Sequence, residues 1–104
     1  AAARMLMGTH DFQSFCGKKV KKKSTVRTIH RLDIIRIGNE IRFIYEGDGF
    51  LFHMVRILTG TLLEIGTGEM EVEQLPGILE SRLRQNAGRT APALGLILDE
   101  VFYQ

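Results

Sequence analysis

The sequence predicts an α+β domain: a small antiparallel sheet with helices packed on one face. Three observations predict it. Val26–Ile37 and Ile41–Glu46, rich in β-branched and aromatic residues, flank the turn signal Gly38-Asn39 and read as an antiparallel hairpin. From Phe50 to Ile65 the apolar positions switch to helical spacing. A last aliphatic run, Leu96–Tyr103, brings a strand back after the helices.

Ala1–Met7 is made of good helix formers and stops at Gly8, a C-cap residue type. Its opening, Ala1-Ala2-Ala3-Arg4, has no initiator methionine and is already helical in character. It reads as a processed chain or a piece of a longer one. Thr9 or Asp11 is placed to cap a short turn, on which Phe12 and Phe15 share a face by their i,i+3 spacing. In Val26–Ile37 the alternation slips: Leu32 and Ile34 fall on one face, Ile29, Ile35 and Ile37 on the other. A bulge or burial on both faces explains that.

The Phe50–Ile65 helix carries an apolar stripe of Met54, Ile57, Leu58, Leu62 and Ile65, and is the expected centre of the core. Asp48 is placed to cap it and Gly66 to stop it. His53, Arg56 and Gly60 lie on another face. A second helix is expected over Val72–Arg84, with Glu71 and Glu73 suited to the helix dipole and Pro76 confined to the first turn. Asn86–Gly95 reads as a loop. Three strands make a small sheet, whose edges are free to pair with a neighbour.

Composition removes several classes. At 104 residues and 44% hydrophobic the chain supports one core without staples. No apolar run approaches the ~20 residues of a membrane span, and no signal peptide opens the chain. A single cysteine, Cys16, allows neither an internal disulfide nor a cysteine zinc site; it reads as a packing residue in a reduced, cytoplasmic setting. His10, His30 and His53 have no i,i+4 histidine partner, so no metal is expected. His10, His53 and Phe50 are read as packing or loop-shaping residues.

The net charge of +2 conceals an asymmetry. Residues 1–56 hold eleven Lys/Arg against five Asp/Glu, and residues 57–104 hold three against seven. Lys18, Lys19, Lys21, Lys22 and Lys23 crowd one short segment, with Arg27 and Arg31 close behind. A solvated loop accounts for such a run. So does a surface that attracts a phosphate backbone and releases its counterions, which makes these lysines and Arg27 candidate RNA-binding residues.

Arg56 stands out because Met54, Val55, Ile57 and Leu58 around it are all apolar. It is either a surface arginine or a guanidinium held by a rigid element for a carboxylate or phosphate. Gly49-Phe50-Leu51-Phe52 is a poor match to the aromatic strand of RNA-recognition folds, because helix follows. Gly66-Thr67-Gly68-Glu69 lacks the Gly-Lys-Ser/Thr of a phosphate loop.

Three ordered segments resemble the C-terminal half of the TruA-type tRNA pseudouridine synthases. They are Gly8-Thr9-His10-Asp11-Phe12 with Phe15; Gly47-Asp48-Gly49-Phe50-Leu51-Phe52-His53-Met54-Val55-Arg56 with Gly60; and Thr90-Ala91-Pro92 with Gly95-Leu96-Ile97-Leu98. The start of the first hairpin strand, Ser24 to Ile29, also fits. Each segment alone is weak, and the ordered set over nearly the whole chain is specific.

The resemblance implies half of a two-domain pseudouridine synthase fold, with residues 1–104 as the C-terminal domain and the N-terminal domain absent. It implies isomerisation of uridine to pseudouridine in the tRNA anticodon stem-loop, without cofactor or metal, by an enzyme that is homodimeric. An aspartate attacks the flipped-out nucleotide at the base or the sugar, and the freed uracil turns and reattaches through carbon. Arg56 matches the arginine beside that aspartate, and Leu96 the aliphatic floor of the uracil pocket. The family's aspartate lies in a Gly-Arg-Thr-Asp-like loop. Here Gly88-Arg89-Thr90 is followed by Ala91, and Asp11, Asp33, Asp48 and Asp99 sit elsewhere. The nucleophile is therefore expected upstream of Ala1, and the fragment alone is expected to be inactive. The alternative is a non-enzymatic RNA-binding or interaction domain.

Overall fold

The structure is a computed structural model that describes residues 2–17, 24–38, 40–91 and 96–102. Ala1, Lys18, Lys19, Lys21, Lys22, Lys23, Asn39, Pro92, Gly95 and Tyr103, all invoked above, lie outside the described residues. The elements are α1 (Ala2–Leu6), β1 (Gly8–Asp11), β2 (Val26–Ile37), β3 (Glu40–Gly47), α2 (Met54–Gly66), α3 (Leu75–Ser81) and β4 (Leu96–Phe102). Single 3-10 turns at Gln13–Phe15, Val72–Gln74 and Arg84–Asn86 join them.

The α+β class holds, with helices against a small sheet. The sheet has four strands in the order β1-β2-β3-β4. The first three are antiparallel, and β4 lies parallel to β3, starting with Leu96 opposite Ile41. Two differences from the sequence reading follow. Gly8–Asp11 is an edge strand pairing Val26–Ile29, where a turn was expected. Gly-Thr-His-Asp has no apolar alternation, so its strand exists only because β2 offers a partner. The parallel β4 follows from the crossover: α2 and α3 return the chain to the end of the sheet where β3 begins.

The slip in β2 is a register shift between Ile29 and Arg31, the bulge that was one of the two explanations of its alternation. Beyond it, Leu32 pairs with Tyr45 and both are buried, while Arg31 and Glu46 pair on the opposite face. There Arg31 donates to Asp33 at 2.5 Å and to Glu46 at 2.9 Å, and these bonds, Asp33 first, raise its pKa above the ordinary value.

Met54, Ile57, Leu58 and Leu62 of α2 bury against Leu6, Phe12, Phe15, Leu32, Phe43 and Tyr45. Each such side chain contributes about 1.5–3 kcal/mol of burial. The helix begins at Met54, not Phe50. The reason is that Asp48 is committed elsewhere: its Oδ1 accepts from the Thr28 N–H at 2.9 Å, tying the end of β3 to β2. Phe50 instead packs on the core edge-on to Tyr45, and His53 turns the chain into α2 through the left-handed region. The second helix is likewise shorter than expected: a 3-10 turn precedes Leu75, and Arg82, at φ 57, ends α3. Ser14 donates to the Ile78 carbonyl at 2.6 Å, fixing α3 against the Gln13–Phe15 turn.

Candidate active site

One side of α2, flanking the core stripe, carries Arg56, Gly60 and Glu64 at i, i+4 and i+8, with the buried Thr61 at its border with the core. The segment 87–91 lies along it. Gly60 makes this possible: a Cβ there would stand 1.7 Å from the Arg89 carbonyl oxygen, so only a residue without a side chain lets the two backbones touch. Thr61 is fully buried; its Oγ1 donates to the Ile57 carbonyl and accepts from the Gly88 N–H, both at 2.9 Å. Glu64 accepts from the Arg89 N–H at 2.7 Å. From the other side Arg84 donates to the Gly88 carbonyl at 2.7 Å and to Thr90 Oγ1 at 3.3 Å.

Arg56 closes this lacing. Its Nε and Nη2 donate to the Ala91 carbonyl at 3.2 and 3.0 Å, and the Ala91 N–H donates back to the Arg56 carbonyl at 3.0 Å. A guanidinium carries five N–H donors. Two point at Ala91, and among the described residues no carboxylate pairs with the others. The half-buried side chain is thus aimed by backbone rather than by an ion pair.

Three described aspartates are engaged in their own surroundings. Asp11 accepts from the Thr25 hydroxyl at 2.5 Å and the Gln13 N–H at 3.1 Å, and pairs with Arg82 at 3.2 Å. Asp33 pairs with Arg31, and Asp48 with the Thr28 backbone. None is brought to Arg56. The Gly88-Arg89-Thr90 tripeptide is seated on α2 through its backbone, and the Arg89 side chain pairs with Glu69 at 2.7 Å.

Leu96 opens β4 in register with Ile41, five residues beyond Ala91 in the chain. Arg27 folds back on its own strand, donating to the Ser24 and Val26 carbonyls at 2.8 Å each. The structure brings Arg56 and the Thr90-Ala91 segment together, and does not bring Arg27 to them. Thr61, Glu64 and Arg84 were not singled out from sequence. Glu64 continues the Arg56 and Gly60 stripe at i+4 spacing, a signal that is present in the sequence; Thr61, which spaces with Ile57 and Leu58 of the core, and Arg84 have none. Among the described residues there is no cluster able to hold a metal ion, and no helix long and apolar enough to cross a membrane.

The family model described as tRNA pseudouridine synthase matches residues 2–104. The chain belongs to the tRNA pseudouridine synthase family. It is 48% identical over 102 residues to tRNA pseudouridine synthase A of Acetivibrio thermocellus, covering 98% of this chain and 42% of that protein. Against tRNA pseudouridine synthase A 1 of Bacillus cereus the identity is 50% over 97 residues, 93% of this chain and 39% of the relative. Against tRNA pseudouridine synthase A of Halalkalibacterium halodurans it is 51% over 96 residues, 92% and 36%. The chain therefore spans about two-fifths of the length of the curated relatives it matches. Within this family the Arg56–Ala91 clamp falls on two of the segments that carry the resemblance.

Proposed function

We propose that residues 1–104 are the C-terminal domain of a TruA-like tRNA pseudouridine synthase, an isomerase that converts uridine to pseudouridine in the tRNA anticodon stem-loop. Another part of the full-length protein supplies the nucleophilic aspartate. The observation that carries this is the Arg56 guanidinium, fixed on the Ala91 carbonyl with donors left over and no carboxylate of its own among the described residues.

In this reading the incoming aspartate meets the remaining N–H donors of Arg56. The pairing favours the ionised carboxylate and aims it at the flipped-out nucleotide. Rigidity matters here: a pre-aimed donor needs no reorganisation when charge develops. The glycosidic C–N bond breaks, the uracil turns, and a C–C bond replaces it. The hydrogen at the newly bonded carbon leaves as a proton and a ring nitrogen gains one, so the isomerisation balances without an oxidant or reductant. Leu96, at the start of β4, supports the uracil from below. Lys18, Lys19, Lys21, Lys22, Lys23 and Arg27 neutralise tRNA phosphates. The full-length enzyme works in the cytoplasm as a homodimer.

Tritium release from uridine-labelled tRNA tests the proposal. The full-length protein is expected to release tritium, and the 104-residue fragment alone is not. Release by the isolated fragment would refute the assignment of the nucleophile to another segment. A full-length protein that binds tRNA and releases nothing would instead be a non-enzymatic RNA-binding protein.

A further inference from the structure

Phe52 and His53 form a stacked pair between β3 and α2, with ring centroids 3.9 Å apart and planes inclined by 25°. Both side chains are exposed, Phe52 to 43%, whereas Phe12, Phe15 and Phe43 are buried. Neighbours in sequence do not ordinarily stack. Successive side chains point to opposite faces of a strand, and on a helix i and i+1 do not face each other. The pair stacks because His53 sits in the left-handed region at φ 56, ψ 14. It is one of two non-glycine residues with positive φ among the described residues. An observed backbone outlier beside a site is a reason to look for function there.

The pair also has a rigid seat. The Gly17 N–H donates to the Phe52 carbonyl at 2.8 Å, and a Cβ on Gly17 would stand 3.0 Å from Phe52 Cδ2 and 3.2 Å from His53 Cβ. The main chain thus passes directly against both residues. His53 is the N-cap of α2, and Arg56 follows within its first turn. In sequence, the lysine run begins one residue after Gly17.

We propose that the Phe52–His53 stack is a platform for an unpaired nucleobase of the RNA substrate, next to the nucleotide that Arg56 serves. Every base has a π-face, so an exposed aromatic pair accepts one without regard to its identity. Bases splayed from a single-stranded loop are those that can reach it. A rigid pair loses little freedom on binding and offers area at once. The choice of RNA as ligand rests on the function proposed above; the platform itself rests on the stack, the left-handed turn and the Gly17 seat.

The test uses the full-length protein with Phe52→Ala, Phe52→Leu and Phe52→Trp. Tritium release by the wild type is measured first, then tRNA affinity by filter binding across a salt series, with thermal melts to establish folding. Phe52→Ala and Phe52→Leu are expected to weaken binding by about 5- to 150-fold, the range for losing one stacked base. Phe52→Trp is expected to bind like the wild type. The slope of affinity against salt should not change, because stacking releases no counterions. Wild-type affinity in folded Phe52→Leu overturns the platform, because leucine keeps the bulk against Gly17 and lacks the π-face. A changed salt slope, or a wild type that binds no tRNA, also overturns it. A wild type that binds tRNA without releasing tritium overturns the synthase reading alone; loss of binding in Phe52→Leu then still upholds the platform.

Discussion

Arg56 and Ala91 hold each other in both directions: the guanidinium donates twice to the Ala91 carbonyl, and the Ala91 N–H donates to the carbonyl of Arg56. A residue of α2 and a residue of a distant loop thereby share one geometry. Lysine cannot reproduce it, being a point charge without the planar fork. Arg56→Ala and Arg56→Lys in the full-length protein are expected, on the proposed function, to lower kcat by about 100-fold or more, the scale for losing one preorganised donor. KM for tRNA should move little. Tritium-release kinetics with a circular-dichroism control would decide it; near wild-type turnover in a folded Arg56→Ala protein would make Arg56 a surface residue only.

Gly60 and Gly77 are both helical glycines and should respond oppositely to alanine. At Gly60 the new Cβ meets the Arg89 carbonyl, so the loop or the helix must move. A loss of about 2–3 kcal/mol is expected, the upper part of the range for overpacking. At Gly77, within α3, a Cβ meets nothing within 4 Å. Gly77→Ala should gain up to about 1 kcal/mol from helix propensity. Urea midpoints of the two variants measure the contrast.

Tyr45 and Thr59 share a hydrogen bond of 2.7 Å in the core, with both side chains fully buried. Tyr45→Phe strands the Thr59 hydroxyl and should cost about 1–3 kcal/mol. Adding Thr59→Val removes the stranded group, so the double variant should be more stable than the single changes predict by addition. A double-mutant cycle in urea reads the coupling directly.

The lysine run makes a salt prediction. If Lys18, Lys19, Lys21, Lys22 and Lys23 meet phosphates, each replacement by alanine should reduce the slope of log affinity against log salt by about 1. Binding should weaken alike for all tRNA sequences. An unchanged slope in the quintuple variant would return the run to the role of a solvated loop.

The hairpin, its bulge and the apolar stripe of α2 were legible because each is a local periodicity. The edge strand β1 was not, since its pairing is imposed by β2 and leaves no trace in Gly-Thr-His-Asp. Nor was the true start of α2. Asp48 is a good cap in isolation, and only the fold reveals that Thr28 has claimed it. Arg56 could be noticed as a charge among apolar neighbours, but its partner Ala91 is a backbone group, and backbone groups have no sequence signature. The roles proposed for Arg56 and Leu96 rest on family resemblance, which periodicity does not supply.

The parallel pairing of β4 with β3 carries a kinetic consequence. The β2–β3 hairpin pairs Ile37 with Glu40, a contact local in sequence, and such hairpins form in microseconds. The β3–β4 pair must wait until roughly half the chain has been laid down between its strands, and such long-range closure is slow. Amide hydrogens of β4 are therefore expected to exchange before those of β2 and β3. Ala91, on which Arg56 is clamped, precedes the first residue of that late strand by five positions. The candidate site is thus expected to assemble late, and its formation to report that the sheet is complete.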